Sequence, residues 1–559
     1  MDPKTLQLLQ EGQAFLEQGN LSDAIASLEK AREHSGDEPE VLESLAAAYY
    51  ENNQIIPTLQ TYDRIIELDA ATSATWRATG NALADIAEYA QAVSAFENSL
   101  ELDDSNAETH HNLARACYRL GEVSRACDHL EVALKLGDSI NTWQSIATLL
   151  PGWPEANQKK LIDFRRKFAR KLAEHTGTPW PSELDRLTAT PHDGPLRIGY
   201  VCAFFHNANY TKPVWGLINH HDRSKFHISL FSDSPSDQGM PCYQPHESDT
   251  VYDIRQLDNA ALADLIRSAN IDILVDLNAY SYEPRLGLFL RYAAPVNVAW
   301  WAMYASSGLP CIEYLVGDDE MVRPEEVEHF SESILKLPVS YLTFTVDYPV
   351  PPVVPSPCTV QPHFTFGSLV TQYKITPQVT DAWCEILRRV PDSRLIMANS
   401  ALKSPQNRNY VLEQFEKRGI TTDRLELHGP SDHATYLRHY DRIDLALDAF
   451  PYNGGTTTME AMWQGVPVLT FDGDRWISRT SQTLLRRCHL GEFVANDVDD
   501  MIQRGVHWGN SKDAHTELAR MRLEMRDQLA GSSACDTKAL SRSMEDLYTD
   551  IWKRALGDV

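Results

Sequence analysis

A turn with two glycines joins an apolar run to a helical stretch between residues 445 and 464. The apolar run has strand character and ends at Asp448, and three consecutive threonines open the helix. A glycine-rich turn at a helix N-terminus leaves backbone N–H groups unpaired, and these donors suit a phosphate together with the positive end of the helix dipole. The segment therefore predicts either a phosphate site or an ordinary strand–turn–helix connection with a threonine N-cap.

The polar side chains of this segment extend the candidate site. The threonine hydroxyls are neutral donors, and Glu460, one turn into the helix, could accept hydrogen bonds from sugar hydroxyls. The candidate binding residues of the turn and helix are Asn453, Gly454, Gly455, Thr456, Thr457, Thr458 and Glu460.

Size and composition bound the kind of protein. A chain of 559 residues predicts several domains. The net charge of −27 excludes a general nucleic-acid binder, which needs a basic face, and leaves either simple solubility or an acidic face for a basic partner. Nine cysteines without a CxxC pair predict reduced thiols. With a polar N-terminus and no apolar run of about 18 residues, we expect a cytoplasmic protein.

Two acidic segments are the candidates for a metal site. They are Asp318-Asp319-Glu320 and Asp472-Gly473-Asp474. Both are interpreted as solvated loops, so no metal site is predicted.

Residues 5 to about 136 carry an internal repeat with a period of 34. Small residues recur where paired helices would approach closely, and large residues recur between them. This pattern is typical of tetratricopeptide repeats, which stack helix pairs into a solenoid with a concave groove for an extended peptide. The repeats predict protein recognition, with a dimerisation or packing module as the alternative. Two of the registers are Gly12, Ala46, Gly80, Ala114 and Leu28, Tyr62, Phe96, Leu130.

A connecting region follows the repeats over residues 141–194. Residues 157–175 form a basic amphipathic pattern, which could suggest a membrane surface. Because Leu161, Phe164 and Phe168 lie on one face, the pattern favours a helix packed between domains. Polar residues and prolines from Thr178 to Pro195 predict a linker.

From residue 196 strand-like and helix-like runs alternate, which predicts parallel sheets with crossover helices. The expected strands are 197–201, 227–231, 272–277, 297–301 and 313–316, then 364–369, 394–398, 425–428, 444–447 and 466–471. A proline-rich hinge over 346–361 separates two doubly wound domains, 195–357 and 358–559, with repeats over 1–140. The stretch 514–556 is expected to be helical and to cross back over the first domain. Ligands of such domains bind at the carboxyl ends of the strands.

Several motifs then resemble the protein O-GlcNAc transferase family, which includes the SPINDLY-type O-fucosyltransferases and bacterial relatives. The segment from Asp448 through Thr470 looks like the donor-binding segment of that family. Further similar segments run in the family's order behind tetratricopeptide repeats. They are Arg197-Ile-Gly-Tyr-Val, Ile273-Leu-Val-Asp-Leu-Asn, Ala294-Pro-Val-Asn-Val-Ala-Trp, Tyr373-Lys-Ile-Thr-Pro and Leu387-Arg-Arg-Val-Pro-Asp-Ser.

The resemblance implies a GT-B fold and inverting, metal-independent transfer of a sugar from a nucleotide donor to Ser or Thr of a protein. It implies that Gly455, Thr456 and Thr457 hold the diphosphate and that Glu460 holds the ribose. Lys374 matches the lysine that neutralises charge on the leaving phosphate. Asp276 matches an aspartate proposed for proton relay or site architecture, with the end of a buried strand as the alternative. The nucleobase position falls near His433 and Tyr436, and either or neither could serve.

Two segments depart from the family pattern. Phe204 stands where the family has aspartate, and Ala208 stands where it has a histidine near the chemistry. His206 could substitute as the base, or it could have a structural role. The Gly-Tyr-Pro-Gly-Thr loop is replaced over residues 302–307, and Thr371 stands where an amide is common. These changes predict an altered sugar or acceptor, or lost catalysis.

Two hypotheses follow. The first is a protein O-glycosyltransferase of the hexosyl or N-acetylhexosaminyl type, whose base is His206, water on Asp276 or a donor phosphate oxygen. It needs no cofactor. Its partners are a protein acceptor in the repeat groove and a nucleotide sugar, expected to be a UDP-sugar; a CMP-linked sugar with a flagellin-type acceptor is an alternative. The second is a non-catalytic adaptor with a degenerate transferase domain. Homodimerisation stays open for both.

Overall fold

The computed structural model describes residues 1–181, 186–235 and 237–557. Part of the linker predicted between Thr178 and Pro195 lies outside these residues. The chain divides into two compact units, Met1–Thr142 with Ser400–Gln414, and Trp143–Asn399 with Phe415–Val559. No helix of the described ranges is both long and apolar enough to cross a membrane.

Paired helices fill the first unit, which confirms the predicted repeats. Their bounds are α1 (Pro3–Glu17), α2 (Leu21–Ser35), α3 (Pro39–Glu51), α4 (Ile55–Glu67), α5 (Ser73–Asp85), α6 (Tyr89–Leu102), α7 (Ala107–Leu120) and α8 (Val123–Leu136). The small and large registers meet inside each pair. A Cβ at Gly12 would lie 2.5 Å from Leu28 Cγ, and one at Gly80 would lie 2.6 Å from Phe96 Cε1. Glycine therefore lets the two helices approach across a bulky side chain.

Two further helices, α9 (Ile140–Leu149) and α10 (Gln158–Thr176), follow the repeats. The basic helix α10, predicted to pack between domains, packs against other residues of the second unit. Its buried Arg165 donates to the carbonyl oxygens of Ala147 at 3.0 Å and Ser306 at 2.7 Å. The Arg165 guanidinium also lies 3.8 Å from the ring centre of Tyr280. Each of these contacts stays within the second unit.

The described residues of the first α/β half form a seven-stranded parallel sheet in the order β3-β2-β1-β4-β5-β6-β7. The strands are β1 (Leu196–Cys202), β2 (Phe226–Ser232), β3 (Thr250–Asp253), β4 (Ile273–Asp276), β5 (Val296–Ala299), β6 (Tyr314–Asp318) and β7 (Ser333–Leu337). The helices of this half are α11 (Ala208–Ile218) and α12 (Asn259–Ser268). The edge strands β3 and β7 were not predicted, because each is short and only partly buried.

The second α/β half repeats the pattern with six strands in its described residues, ordered β10-β9-β8-β11-β12-β13. They are β8 (Thr365–Ser368), β9 (Arg394–Ala398), β10 (Leu425–His428), β11 (Leu445–Leu447), β12 (Val468–Phe471) and the unpredicted two-residue β13 (Val494–Ala495). The helices are α13 (Pro377–Arg389), α14 (Pro405–Glu416), α15 (His433–Arg438), α16 (Thr456–Trp463), α17 (Thr480–Arg487) and α18 (Val498–Asn510). Two doubly wound sheets confirm the predicted fold class. The chain order reverses beside β1 and β4 in one half and beside β8 and β11 in the other, where ligands of such sheets bind.

Helix α14 belongs largely to the first compact unit, although its sequence was assigned to the second α/β half. Asn407 Nδ2 donates to the carbonyl oxygen of Ala87 at 2.8 Å, and Asn407 Oδ1 accepts from the N–H of Ala90 at 3.0 Å. The Tyr410 hydroxyl donates to Glu122. These long-range side-chain contacts leave no trace in the local sequence.

The helical stretch predicted at the C-terminus is two helices, α19 (Lys512–Ala530) and α20 (Thr537–Leu556). Helix α20 packs against α11 of the first half. Two contacts join it to that half, a hydroxyl pair between Tyr200 and Tyr548 at 3.2 Å and a hydrogen bond from His221 Nδ1 to Glu545 Oε1 at 3.0 Å.

One side of the boundary between the two α/β halves is joined by polar contacts, some of them buried. Arg479 is fully buried and forms an ion pair with Glu326. Thr483 Oγ1 donates to Asp318 at 3.0 Å, and Arg323 pairs with Asp472 at 2.5 Å. The acidic segments that were weighed as metal sites thus pair with arginines and hydroxyls. Within the described residues, no group of three or more His, Cys, Asp and Glu side chains could hold a metal ion.

Candidate active site

The turn after β11 is organised by Asp448. Its Oδ1 accepts from the N–H of Ala449 at 3.0 Å and from the N–H of Gly454 at 2.9 Å. Asp448 is buried, and burial raises the pKa of its carboxyl. A Cβ on Gly454 would lie 2.3 Å from Thr458 Oγ1, so the close approach of turn and helix requires glycine. Asp448 was predicted only to end the strand.

Helix α16 begins directly at the glycine pair. Its N-cap is Gly455, and no side chain of the described residues caps the helix. The first-turn N–H groups therefore remain available, as the sequence predicted. Thr456 and Thr457 line a cavity at this end of the helix. Thr458 does not line it, because its hydroxyl is bonded to Ser481 Oγ at 2.7 Å.

Lys374 lies in a short helical turn after β8, beside the turn of β11. Its Nζ donates to the carbonyl oxygen of Asn453 at 2.9 Å and lies 3.9 Å from the ring centre of Tyr452. Burial lowers the pKa of Lys374 to about 8, and the carboxylate of Asp448 opposes that shift. The structure therefore brings together the lysine and the glycine turn, which are about eighty residues apart in the sequence.

The cavity that these residues line has a volume of about 480 Å³. It lies where the carboxyl ends of both sheets meet, and its lining includes five aromatic rings. Among the described lining residues, Lys374 is the one charged side chain. The full lining is Asn207, Asn209, Tyr210, Ser281, Trp301, Tyr304, Leu342, Val370, Thr371, Tyr373, Lys374, Tyr452, Asn453, Gly454, Gly455, Thr456, Thr457 and Thr480. A neutral wall with hydroxyl and amide groups and a single cation suits an anionic sugar derivative.

The first divergent segment contributes to the cavity through its later residues. Asn207 caps α11, and Asn207, Asn209 and Tyr210 line the cavity. Phe204 packs against the Tyr210 ring at a centroid distance of 4.4 Å, so an aromatic cluster takes the place expected for a carboxylate. His206, predicted as a base, is not a lining residue. Its Nδ1 is buried and has no hydrogen-bond partner among the described residues.

Asp276 ends β4, as the sequence indicated, and is 1% exposed. Its oxygens accept from the N–H of Asn278 at 2.9 Å and from the N–H of Ala279 at 3.1 Å. Burial raises the pKa of Asp276 to about 6, although the hydrogen bonds from these two N–H groups act to lower that pKa. Asp276 does not itself line the cavity, but it holds the turn that leads to the lining residue Ser281.

The second divergent segment, residues 302–307, is anchored by one buried carboxylate. Glu332 accepts from Ser306 Oγ at 2.7 Å and from the N–H of Ser307 at 2.7 Å. Ala302, just after the lining residue Trp301, has a φ of 56°, a left-handed conformation that is uncommon outside glycine. Tyr304 from this loop lines the cavity, and its ring centre lies 5.7 Å from the ring centre of Tyr452. The loop therefore brings aromatic surface to the cavity.

Glu460, predicted to hold the ribose, lies one turn into α16 and is 5% exposed. Its Oε1 accepts from His433 Nε2 at 2.9 Å and from Lys212 Nζ at 2.9 Å. Tyr436 lies behind His433, and its hydroxyl donates to the carbonyl oxygen of Leu369 at 3.0 Å. The structure thus brings His433, Tyr436 and Glu460 together, one helical turn beyond the lining residues Thr456 and Thr457, and none of the three is itself a lining residue. Lys212 was missed, although its place four residues into the helix after β1 points it toward the same edge of the sheet.

Comparison with protein families gives two matches. The family described as "Glycosyl transferase family 41" matches residues 181–348 and 363–544. A tetratricopeptide repeat family matches residues 9–55 and 77–139. The first match covers both α/β halves, and the second covers the predicted repeats.

Curated relatives share this organisation over part of their length. A protein of Hordeum vulgare named "Probable UDP-N-acetylglucosamine--peptide N-acetylglucosaminyltransferase SPINDLY" is 29% identical over 429 residues, covering 75% of this chain and 44% of the relative. A protein of Arabidopsis thaliana with the same description and the name SEC is 26% identical over 371 residues, covering 64% of this chain and 37% of the relative. The chain therefore spans less than half the length of these relatives.

A solved structure is similar over nearly its whole length. It is a mutant of the O-GlcNAc transferase of Thermobaculum terrenum, which is 26% identical with a TM-score of 0.76. The alignment covers 99% of this chain and 98% of that one.

Proposed function

Since the chain belongs to glycosyl transferase family 41, we propose that it transfers a sugar from a nucleotide-sugar donor to a serine or threonine of a protein acceptor. The observation that carries this proposal is the meeting of Lys374 with the uncapped start of α16 at one cavity. A cation and free helix N–H groups suit the diphosphate of a nucleotide sugar and stabilise it as it leaves.

In the proposed reaction, an acceptor hydroxyl oxygen attacks the anomeric carbon of the sugar. The bond between that carbon and the phosphate oxygen breaks, and its electron pair stays on the leaving diphosphate. Lys374 and the N–H groups of Thr456 and Thr457 balance the new negative charge, so the proposed transfer needs no bound metal ion. The stabilisation of the leaving diphosphate by Lys374 and these N–H groups is strong because the rest of the cavity wall is neutral.

Inversion of the anomeric carbon is part of the proposal. Retention by double displacement needs an enzyme nucleophile such as a carboxylate. The described lining residues include no carboxylate. Direct attack by the acceptor inverts the carbon in one step.

The proton of the acceptor hydroxyl is proposed to pass to a phosphate oxygen of the donor. Neither His206 nor Asp276 lines the cavity, and a phosphate oxygen is present wherever the donor binds. Asp276 instead serves by holding the turn before Ser281 in place.

The protein acceptor is proposed to bind in the groove of the repeats. In the first unit a cavity of about 460 Å³ lies among the inner helices. Its lining includes Tyr50, Asn81, Tyr89 and Asn112, and Asn112 Nδ2 donates to Asn81 Oδ1 at 2.9 Å. Amide and tyrosine side chains of this kind suit the backbone of an extended segment.

The test is a transfer assay with UDP-, GDP- and CMP-sugars, starting with the UDP-N-acetylglucosamine that the relatives' names indicate. Proteins from a cell extract serve as acceptors, and the readouts are released nucleotide and added mass on an acceptor. A matched Lys374→Ala preparation is the control. Added mass with one donor supports the transferase. Bound nucleotide with no added mass on any protein would overturn it in favour of the adaptor.

A further inference from the structure

The carboxylate of Glu460 is held from one side only. Both of its hydrogen-bonding neighbours, Lys212 and His433, contact the same oxygen, Oε1, at 2.9 Å. Among the described residues, no hydrogen-bond partner contacts Oε2. The second oxygen is therefore left to accept from another group.

Lys212 reaches Glu460 from the opposite α/β half. It lies in α11 of the first half, whereas Glu460 lies in α16 of the second. The two side chains are 9% and 6% exposed, so the ion pair is almost fully removed from water. The Lys212 ammonium also lies 4.5 Å from the ring centre of Tyr348. Burial alone would lower the pKa of Lys212, but Glu460 and Tyr348 outweigh it and raise that pKa, so the side chain stays charged.

A structural role alone accounts poorly for this pair. A buried ion pair contributes little net stability, because desolvation offsets the attraction of the charges. The two halves are already joined by Arg479 with Glu326 and by Arg323 with Asp472. A bare carboxylate beside the binding site of a diphosphate would also repel the donor, and an adjacent ammonium removes that repulsion.

We propose that Lys212 is a positioning residue for donor binding: it fixes and neutralises Glu460 through Oε1, so that Oε2 accepts from the vicinal hydroxyls of the donor ribose. The inference rests on the proposed function, since it needs a ribonucleotide donor. Both α/β halves therefore contribute to the group that accepts hydrogen bonds from the ribose. Glu460 of the second half is held in place only when Lys212 of the first half lies against it.

The test compares the affinities of UDP and 2′,3′-dideoxy-UDP by calorimetry, because the two probes differ only in the ribose hydroxyls. Wild-type protein is expected to prefer UDP on the order of tenfold, as hydrogen bonds to a charged group predict. Lys212→Met removes the ammonium, and the preference is expected to fall to within about twofold. Lys225→Met makes the same change at a lysine that is 73% exposed in the same half, and it should keep the wild-type preference.

A second variant separates the two proposed effects of Lys212, which are fixing the position of Glu460 and neutralising its charge. Lys212→Gln can still donate to Oε1 but carries no charge, so affinity for both probes should fall together while their ratio persists. This variant also serves if Lys212→Met does not fold, which a melting curve shows. Unchanged UDP affinity in Lys212→Gln would overturn the neutralising role.

Two other outcomes count against the inference. An unchanged ratio in folded Lys212→Met overturns positioning and leaves the proposed function standing. Tighter UDP binding by that variant also overturns it, because Lys212 would then be blocking the ribose site. Wild-type protein that binds none of UDP, GDP and CMP overturns the proposed function, and this inference with it.

Discussion

The Nζ of Lys374 lies 2.9 Å from the carbonyl oxygen of Asn453, the residue directly before the two glycines of the β11 turn. This contact fixes the ammonium beside the N-terminus of α16. A lysine from one βα connection and the helix dipole of another thereby act on the same small volume.

Replacing Lys374 with alanine should lower turnover by about 10²–10³-fold, because a preorganised donor to the leaving group is lost. The measurement is single-turnover transfer with saturating donor. Lys512→Ala, an exposed lysine of the second half, is the matched control and should keep wild-type turnover. Undiminished turnover in Lys374→Ala would show that the leaving diphosphate is stabilised elsewhere.

Activity should fall as the pH rises through about 8, because burial lowers the pKa of Lys374 to about 8. Only the protonated form neutralises the leaving group, so the full rate is expected below that pH. The measurement is kcat/KM between pH 6 and 10. In Lys374→Arg the cation stays protonated over this range, so residual activity should not show the decline. A decline that persists in the arginine variant would assign the titration to another group.

The buried pair of Arg479 and Glu326 should matter more for stability than a surface pair. Glu326→Gln leaves the charge of a fully buried guanidinium without its counter-ion, which costs about 3–5 kcal/mol. Thermal unfolding followed by calorimetry measures the change. The control is Glu517→Gln, whose partner Arg520 is 55% exposed, and the expected change is much smaller because water screens this pair. Equal effects of both changes would contradict the assignment of the first pair as a buried contact.

The repeats offer a test by compensation. A Cβ at Gly80 would lie 2.6 Å from the Phe96 ring, so Gly80→Ala should destabilise the repeats by about 1–3 kcal/mol through overpacking. The fourth repeat has Ala114 and Leu130 at the same two registers. Adding Phe96→Leu to Gly80→Ala should therefore restore stability, whereas Phe96→Leu alone should reduce it.

Denaturant unfolding followed by circular dichroism measures the free energy of unfolding of each variant and so ranks their stabilities. Additive losses in the double variant would show that the two side chains do not meet.

Much of the fold follows from local pattern. The strand 394–398 and the strand 425–428 have the predicted bounds, and the repeat registers define the helix pairs. The strands that were missed are edges: β3 has alternating partly buried residues, and β13 has two residues. So few residues give no recognisable periodicity, and their pairing comes from the neighbouring strand.

The candidate site was predictable where a motif is continuous and less so where it is assembled. The glycine turn and Lys374 could be found because each lies in a recognisable segment. Lys212 was missed, because its role depends on a contact with Glu460, 248 residues away, and its place near the start of α11 was the one local signal. Thr458 was predicted to face the ligand, but the helix turns its hydroxyl toward Ser481. Side-chain direction at a helix start depends on packing that the local pattern does not encode.

Lys374, the one positive charge among the described residues that line the cavity, lies in a chain whose net charge is −27. A nucleoside diphosphate is an anion as well, so its approach from a distance is opposed by the surrounding field, and attraction begins only near Lys374. Salt screens the long-range part, with a Debye length of about 10 Å at 0.1 M, and acts less on the enclosed contact. Donor capture should therefore become faster as ionic strength rises, the reverse of the behaviour of an enzyme that steers its substrate electrostatically.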